Sequence, residues 1–386
     1  MSEAKKLGFA TRLVSYDANP GDANRPMATP IYQTATFEQE HADSFGAYDY
    51  SRSGNPTRRV LEDQMAALEC GTRGFCFSSG MTAIAAVTHL LRAGDEILAD
   101  WDLYGGASRL FGTSLERADV TVRYVDATDV EALTQAISAT TRMIYVETPT
   151  NPLLRVVGLR AVAEIAHEAG VLLCVDNSTL SPYLQNPLEL GADIVLHSAT
   201  KFLGGHSDVT GGVVVVKDAT LGEKIYAIQN AEGTALGPFD CFLVLRGLKT
   251  LKLRMDAQQR SADAIARFLK EHAKVVAVFY PGLEEHPGYE IQRAQARGAG
   301  AVLSFELETF AQAKQVVEGL ELFSIAVSFG SVHSTISVPV KMSHASVPAE
   351  LKSARGIPEG LVRVAVGIED VEDLIADLAR ELDRLN

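Results

Sequence analysis

The chain has 386 residues, of which 47% are hydrophobic and 22% charged, and its formal net charge is −14 at pH 7. At about 150 residues per domain this length predicts two or three domains, which excludes a short peptide module or a disulfide-stapled mini-protein. Because an acidic surface repels polyanions, the charge argues against nucleic acid or an anionic membrane as partners.

The cysteines form no CxxC pair, so the sequence gives no support to a zinc or redox motif and no metal is predicted. Cys174 lies within an apolar run, which favours a buried and unreactive thiol. No apolar segment follows residues 1–6, and the most apolar stretch, 83–91, is too short to cross a bilayer. These features predict a cytoplasmic protein without a membrane partner.

Residues 1–47 contain several Pro, Gly and Asn and predict an extended arm. From 48 to 240, helical segments alternate with short, apolar, β-branched strands. Helices are predicted at 58–69, 81–92, 104–115, 130–138 and 159–169, and strands at 74–77, 96–99, 120–125, 143–146, 171–175, 194–196 and 213–216. This alternation predicts an α/β fold with a mostly parallel sheet that helices cover on both faces.

Residues 241–386 predict a smaller α+β domain at the end of the chain. Residues 239–271 have helical spacing and no proline, which is typical of one long helix or a pair of helices. Strands are predicted near 275–280, 301–307 and 361–366.

A group of polar residues follows the predicted strand Ile194–Leu196, namely Ser198, Thr200 and Lys201. In an open α/β sheet, ligands bind beyond the carboxyl ends of the strands. A lysine in that position can form a Schiff base with a carbonyl cofactor. By itself, however, a Ser-x-Thr-Lys sequence is more typical of an exposed loop.

A second apolar strand ends in a carboxylate, Asp176, which lies 25 residues before Lys201. Such a residue often caps a turn. Together with a lysine on another strand end, it suits the ring nitrogen of pyridoxal 5′-phosphate (PLP), because a carboxylate keeps that nitrogen protonated. Gly80 opens a predicted helix whose free N–H groups suit a phosphate, and Tyr104 offers a face for ring stacking. Either residue alone also fits a common turn or packing position.

Motifs spread over nearly the whole chain resemble those of the Cys/Met-metabolism family of PLP enzymes, and most of all its plant-type cystathionine β-lyases. The matching segments are 48–58, 78–81, 147–152, 176–178, 197–201, 205–208, 229–233, 342–348 and 361–370. The resemblance implies PLP as cofactor and the PLP-dependent transferase fold type I, similar to that of aspartate aminotransferase.

The resemblance also implies roles for the matching residues around the cofactor. Lys201 would carry the cofactor and move protons, Asp176 would pair with the ring nitrogen, Tyr104 would stack on the ring, and Asn151 would contact the ring hydroxyl. The phosphate would be held by backbone amides and hydroxyls of four residues: Gly80, Met81, Ser198 and Thr200.

The substrate and the neighbouring subunit complete this implied site. Arg363, helped by Ser328, would bind the α-carboxylate of an amino-acid substrate with its planar guanidinium. Tyr50 and Arg52 would reach the phosphate from a neighbouring subunit. The arm, residues 1–47, would also contribute to that subunit. The resemblance therefore implies a homodimer with shared active sites, assembled into a tetramer.

Three positions favour β-elimination within the family. Val327 stands where enzymes acting on the γ-carbon of cystathionine commonly carry Glu, and Gly106 stands where methionine γ-lyases typically carry Cys. Phe329, Gly330 and Ser331 match the Phe-Gly-Ser pattern of the plant-type β-lyases. His333 replaces a Glu that is usual in the family and is interpreted as a polar loop residue.

The predicted reaction is therefore cleavage of L-cystathionine to homocysteine, pyruvate and ammonia. Lys201 would remove the Cα proton, and Lys201, Tyr104 or Tyr50 would protonate the leaving thiolate. The alternatives on the same fold are cystathionine γ-lyase, cystathionine γ-synthase and an O-acylhomoserine sulfhydrylase-type activity.

Two hypotheses from other classes are weaker. A non-catalytic regulatory protein with this fold would have lost the lysine or gained a DNA-binding module, whereas Lys201 and Asp176 are both present. A metal hydrolase would need a carboxylate or cysteine at ligand spacing from His197 and His206, and the sequence offers none there.

Overall fold

The structure, a computed structural model, describes residues 7–15, 24–342 and 356–385. The segment 343–348 of the matching motifs and residues 1–6 and 16–23 of the predicted arm lie outside the described residues.

The larger sheet has seven strands within the described residues, in the order β1-β7-β6-β5-β4-β2-β3. Strand β7 is antiparallel to its neighbours β1 and β6, and the pairs from β6 to β3 are parallel. This confirms the predicted mostly parallel sheet. The strands are β1 (Arg73–Phe77), β2 (Glu96–Asp100), β3 (Thr121–Val125), β4 (Thr141–Glu147), β5 (Leu172–Asp176), β6 (Ile194–Ser198) and β7 (Gly212–Val216).

Both faces of this sheet are buried, because alternate residues of each inner strand enter different cores. On β4, Ile144 and Val146 pack in one core with Leu61, whereas Met143 packs in the other with Ile84. The helices around the sheet are Pro56–Leu68, Gly80–Thr88, Gly105–Leu110, Val130–Ala136, Leu159–Glu168, Ser181–Leu184 and Ala219–Glu232, after a short N-terminal helix Phe9–Val14.

The smaller sheet has five strands among the described residues, in the order β10-β11-β12-β9-β8. Its central strand β12 carries Arg363. The strands are β8 (Ala277–Phe279), β9 (Val302–Glu306), β10 (Ser324–Ile325), β11 (Thr335–Ser337) and β12 (Leu361–Ala365). The helices in this part of the chain are Leu251–Glu271, Tyr289–Gln295, Phe310–Gly319 and Val371–Leu382.

Most predicted elements are confirmed, with some differences at helix ends. The segment 239–271 is a helix pair, Pro238–Leu248 and Leu251–Glu271. The second helix links the two cores: Leu251 and Met255 pack in the first, and residues 262–269 in the second. The segment predicted at 104–115 changes from an α-helix to a π-helix at Phe111. The predicted helix 81–92 already ends at Thr88. The division of the chain at residues 47 and 240 stays a prediction.

Candidate active site

A cavity of about 420 Å³ lies at the carboxyl ends of β4, β5 and β6, and β12 of the smaller sheet closes its other side. This volume is within the range of small-molecule sites. Ten residues predicted from the sequence line it: Gly80, Met81, Tyr104, Asn151, Asp176, Ser198, Thr200, Lys201, Ser328 and Arg363. A larger cavity of about 710 Å³ lies beside β8, but its described lining is mostly apolar and includes none of these residues.

Lys201 points into the cavity rather than into solvent. Its Nζ donates a hydrogen bond of 2.6 Å to Oγ of Ser328 and lies 4.9 Å from the ring centroid of Phe329. Burial, followed by the positive charge of Arg363, lowers the pKa of the Lys201 amine to about 8. The exposed-loop alternative for this lysine is therefore excluded.

Arg363 is the cation on the opposite side, and only 2% of its surface is exposed. One terminal nitrogen donates to Oδ1 of Asn151 at 3.1 Å and the other donates to the carbonyl of Ser328 at 2.7 Å. Burial lowers the pKa of the guanidinium to about 10. Since a guanidinium has five N–H groups, each terminal nitrogen keeps one N–H for a carboxylate.

Asp176 and Glu147 are the buried carboxyls of the site. They are direct neighbours in the register of β4 and β5, so both side chains leave the sheet on the same face. Oδ1 of Asp176 accepts from the backbone of Ser178 at 2.9 Å, and Glu147 accepts from the backbone of Tyr104 at 3.0 Å. Burial raises the pKa of Asp176, and burial together with Asp176 raises the pKa of Glu147 well above its ordinary value. A cation bound against these carboxyls would relieve that cost.

The helix Gly80–Thr88 begins at the cavity with its free N–H groups. Ser79 caps it by accepting from the backbone of Thr82 at 3.1 Å. Gly80 lies so close to Ser198 that a Cβ at position 80 would be 3.1 Å from the serine Oγ. The glycine therefore leaves a small space between the helix N-terminus and the hydroxyl of Ser198 at the end of β6, and such a space suits a phosphate.

Tyr50 and Arg52 do not line the cavity described above. Tyr50 is 42% exposed, the guanidinium of Arg52 lies 5.4 Å from its ring centroid, and Arg52 donates to the carbonyl of Asn230 at 2.7 Å. His333 is also exposed and is not part of the cavity lining, in agreement with its interpretation as a polar loop residue.

Several cavity residues were not assigned a role from the sequence: Arg109, Glu147, Ser178, Thr210 and Met342. The sequence could have predicted Glu147 as a site residue, because it ends an apolar strand in the same way as Asp176. Arg109 lies five positions after Tyr104, and only the helix that begins at Gly105 brings it to the cavity.

His197, the fourth residue of β6, is paired with a buried glutamate. His197 Nε2 lies 2.5 Å from Oε1 of Glu69, and both side chains are buried. Glu69 also accepts from Asn177 at 2.9 Å, so it joins the ends of β5 and β6. Within the described residues, no cluster of three or more His, Cys, Asp or Glu is arranged to hold a metal ion.

Comparison with known proteins identifies the family. The sequence profile described as "Cys/Met metabolism PLP-dependent enzyme" matches residues 10–383. The chain belongs to this family of PLP-dependent enzymes.

Members of the Cys/Met-metabolism family with known names are similar over the whole described fold. A chloroplastic cystathionine beta-lyase of Arabidopsis thaliana is 50% identical over 98% of this chain and 81% of its own length. Cystathionine beta-lyase MetC of Bacillus subtilis (strain 168) is 48% identical over 97% and 96%. The crystal structure of a Lactobacillus plantarum cystathionine gamma-lyase complexed with L-serine is 42% identical, with a TM-score of 0.95 over 98% of this chain and 99% of that one.

The family's fold is thus the predicted type I fold of PLP-dependent transferases, and its cofactor is PLP. The cavity fits that cofactor chemically. It offers a helix N-terminus beside hydroxyls, a buried carboxyl that needs a cation, an aromatic ring and a lysine amine. Among the described residues, no helix is both long and apolar enough to cross a membrane.

Proposed function

We propose that the protein is a PLP-dependent cystathionine β-lyase, which converts L-cystathionine and water to homocysteine, pyruvate and ammonia. The observation that carries the proposal is that Ser328 accepts hydrogen bonds from both cations of the cavity, Lys201 and Arg363. Its Oγ accepts from Lys201 and its carbonyl accepts from Arg363. An amino acid bound by its carboxylate at Arg363 would thus have its Cα next to the lysine amine. The names of the two cystathionine beta-lyase relatives described above support the same activity.

The residues around the cavity would hold the cofactor as follows. The phosphate would lie at the helix N-terminus between the amides of Gly80 and Met81 and the hydroxyls of Ser198 and Thr200. The ring would lie on Tyr104, with Asp176 at its nitrogen and Asn151 at its hydroxyl. Bound PLP supplies an aldehyde that takes up the substrate amine and a ring that withdraws electrons from Cα.

Lys201 would act as the base at Cα. An amine with a pKa of about 8 is partly unprotonated near neutral pH, as a proton acceptor must be. The electron pair of the Cα–H bond would form a Cα=Cβ bond as the Cβ–S bond breaks. The sulfur would receive its proton from Lys201, from Tyr104 or from Tyr50.

The far end of the substrate also has a candidate partner. Two arginines, Arg109 and Arg363, line the same cavity, which suits a substrate with two carboxylates. Val327 lies at the mouth of the cavity and is 63% exposed. An apolar side chain there gives no carboxylate to assist γ-elimination, which supports the β-lyase over the γ-lyase alternative.

The assembly is part of the proposal. We infer a homodimer in which Tyr50 and Arg52 complete the partner's site, two such dimers forming a tetramer. Exposure of Met27, Phe45 and Tyr50 on the segment that precedes the first sheet supports a contact surface there. The arm 1–47, a PLP domain 48–240 and a smaller domain 241–386 are the proposed divisions, and the cytoplasm is the proposed compartment.

A product assay tests the activity. Incubation of the holoenzyme with L-cystathionine should yield pyruvate and homocysteine, and the Lys201→Ala variant should yield neither and lose the visible absorbance of the lysine-bound cofactor. Formation of 2-oxobutyrate and cysteine would instead identify a γ-lyase. A variant that keeps the absorbance would refute the role of Lys201.

A further inference from the structure

We propose that Phe329 is a positioning residue whose ring face supports both cations of the site. The Lys201 Nζ lies 4.9 Å from the ring centroid, and the guanidinium carbon of Arg363 lies 5.6 Å from the same centroid. The ring would hold the two cations in place while the site is desolvated. This inference rests on the proposed roles of Lys201 and Arg363 in the β-lyase.

The backbone fixes this ring on both sides. Ser328 and Gly330 have positive φ angles of 80° and 88°, so Phe329 lies between two left-handed residues. A Cβ on Gly330 would be 2.6 Å from the backbone nitrogen of Phe202 and 2.9 Å from the carbonyl carbon of Lys201. The turn therefore packs directly on the backbone of the lysine. The ring of Phe202, with its centroid at 5.9 Å, packs on that of Phe329.

Electrostatics explain why an aromatic ring is useful at this position. Both cations have lost most of their water: burial lowers the pKa of Lys201 to about 8 and that of Arg363 to about 10, and the charge of Arg363 further lowers the lysine value. An aromatic face carries partial negative charge and attracts cations most strongly when they are desolvated. An aliphatic side chain such as Leu would fill the space but would lack this attraction.

The nearby carboxyls act from another direction. Asp176 and Glu147 oppose the lowering of the Lys201 pKa, and Glu147 opposes the lowering of the Arg363 pKa. Both carboxyls, however, belong to β4 and β5 of the larger sheet. Phe329 comes from the turn that also holds both cations through Ser328. It therefore supports the carboxylate anchor and the amine together, in the orientation that an α-amino acid requires.

Progressive fluorination of the Phe329 ring tests the proposal in the holoenzyme. Mono-, di- and trifluorophenylalanine at this position weaken the negative ring face with little change of shape. The probe is glycine, an α-amino acid without a leaving group, and its dissociation constant is measured from the visible absorbance of the bound cofactor. We expect the constant to rise stepwise along the series, by about five- to thirtyfold overall. Phe329→Leu should bind glycine as weakly as the trifluoro form.

The matched control is the same series at Phe202, which should leave the dissociation constant unchanged. Thermal unfolding of every variant separates a ring-face effect from a loss of folding. A constant that does not change along the series at 329, or that rises equally at 202, would overturn the proposal. Since glycine binding does not depend on which product is formed, failure of the β-lyase assay is a separate result.

Discussion

Lys201 and Ser328 are joined by a hydrogen bond of 2.6 Å from the lysine Nζ to the serine Oγ. The serine has a φ angle of 80°, a conformation that costs energy for a residue with a Cβ. The hydroxyl therefore lies at the end of a strained backbone. Substitution of Ser328 can therefore separate the effect of the hydroxyl on activity from the effect of the backbone turn on stability.

Ser328→Gly removes the hydroxyl but keeps the left-handed conformation at no steric cost. We expect kcat to fall roughly ten- to hundredfold, which is the value of a hydrogen bond to a charged group, while thermal stability is maintained. Ser328→Ala should lose the same activity at a stability close to that of wild type, because serine and alanine pay the same cost of a Cβ at this φ angle. Full kcat in the glycine variant would show that the hydroxyl does not position the amine.

Gly330→Ala should damage the site through the backbone of Lys201. The new Cβ would overlap the backbone of Lys201 and Phe202 and would require a positive φ. A loss of roughly 2–4 kcal/mol in unfolding free energy is expected, together with reduced kcat. Gly112→Ala is the control, because no atom lies within 4 Å of its Cβ position. Equal stability of the two alanine variants would contradict the packing described here.

Mixed oligomers test the shared active site. Lys201→Ala and Arg52→Ala should each be inactive or nearly so when pure. If Arg52 serves the partner's site, a hybrid dimer contains one site with both defects and one site with none. Refolding or exchanging equal amounts of the two variants should then recover about a quarter of the wild-type activity. No recovery, in a mixture whose hybrids are confirmed by differently sized tags, would place Arg52 outside the neighbouring site.

Asp100 should make stability depend on pH. Burial, and then the charge of Asp102, raises the pKa of the Asp100 carboxyl from 3.8 to about 7, and its Oδ2 is buried without a hydrogen-bond partner. Because the pKa of Asp100 is higher in the folded protein than in the unfolded chain, its contribution to the free energy of unfolding is fully present below pH 3.8. That contribution is lost as the pH rises through about 7.

Asp100→Asn stays neutral over that range. Relative to wild type, its free energy of unfolding should therefore rise by roughly 4 kcal/mol between acid and mildly alkaline pH. Urea unfolding of both proteins across this range measures the difference. Asp126→Asn is a suitable control, because the pKa of Asp126 is lowered and its dependence should have the opposite sign. Parallel curves for wild type and Asp100→Asn would contradict the raised pKa.

The sequence predicted the part of the site that strand ends create. Asp176 and Ser198 end β5 and β6, and Lys201 follows at once, so apolar runs with polar ends were sufficient to locate them. The place of Arg363 in the site could not be predicted from a strand end in this way. It meets Asn151 across 212 residues of sequence, and only the resemblance to a known family related the two.

The elements that the sequence did not reveal include short strands, an irregular helix and one long helix with a mixed buried face. Strands β10 and β11 have two and three residues, too few to show an alternation. Helix Ala219–Glu232 was missed because its buried face mixes Leu221 and Ile225 with Gly222 and Gln229. The first residue of the π-helix, Phe111, packs against Tyr145 at a centroid distance of 5.5 Å, and such a tertiary contact leaves no local pattern.

The hydrogen bond between Arg363 and Asn151 also joins the two sheets, since Asn151 follows β4 and Arg363 belongs to β12. A substrate bound by its carboxylate at Arg363 and by its amine near Lys201 would cross the same seam. Ligand binding would then connect the two halves of the molecule and stabilise their arrangement. The helix Leu251–Glu271 packs in both cores, so a bound substrate would be a second link between two halves that this helix already connects.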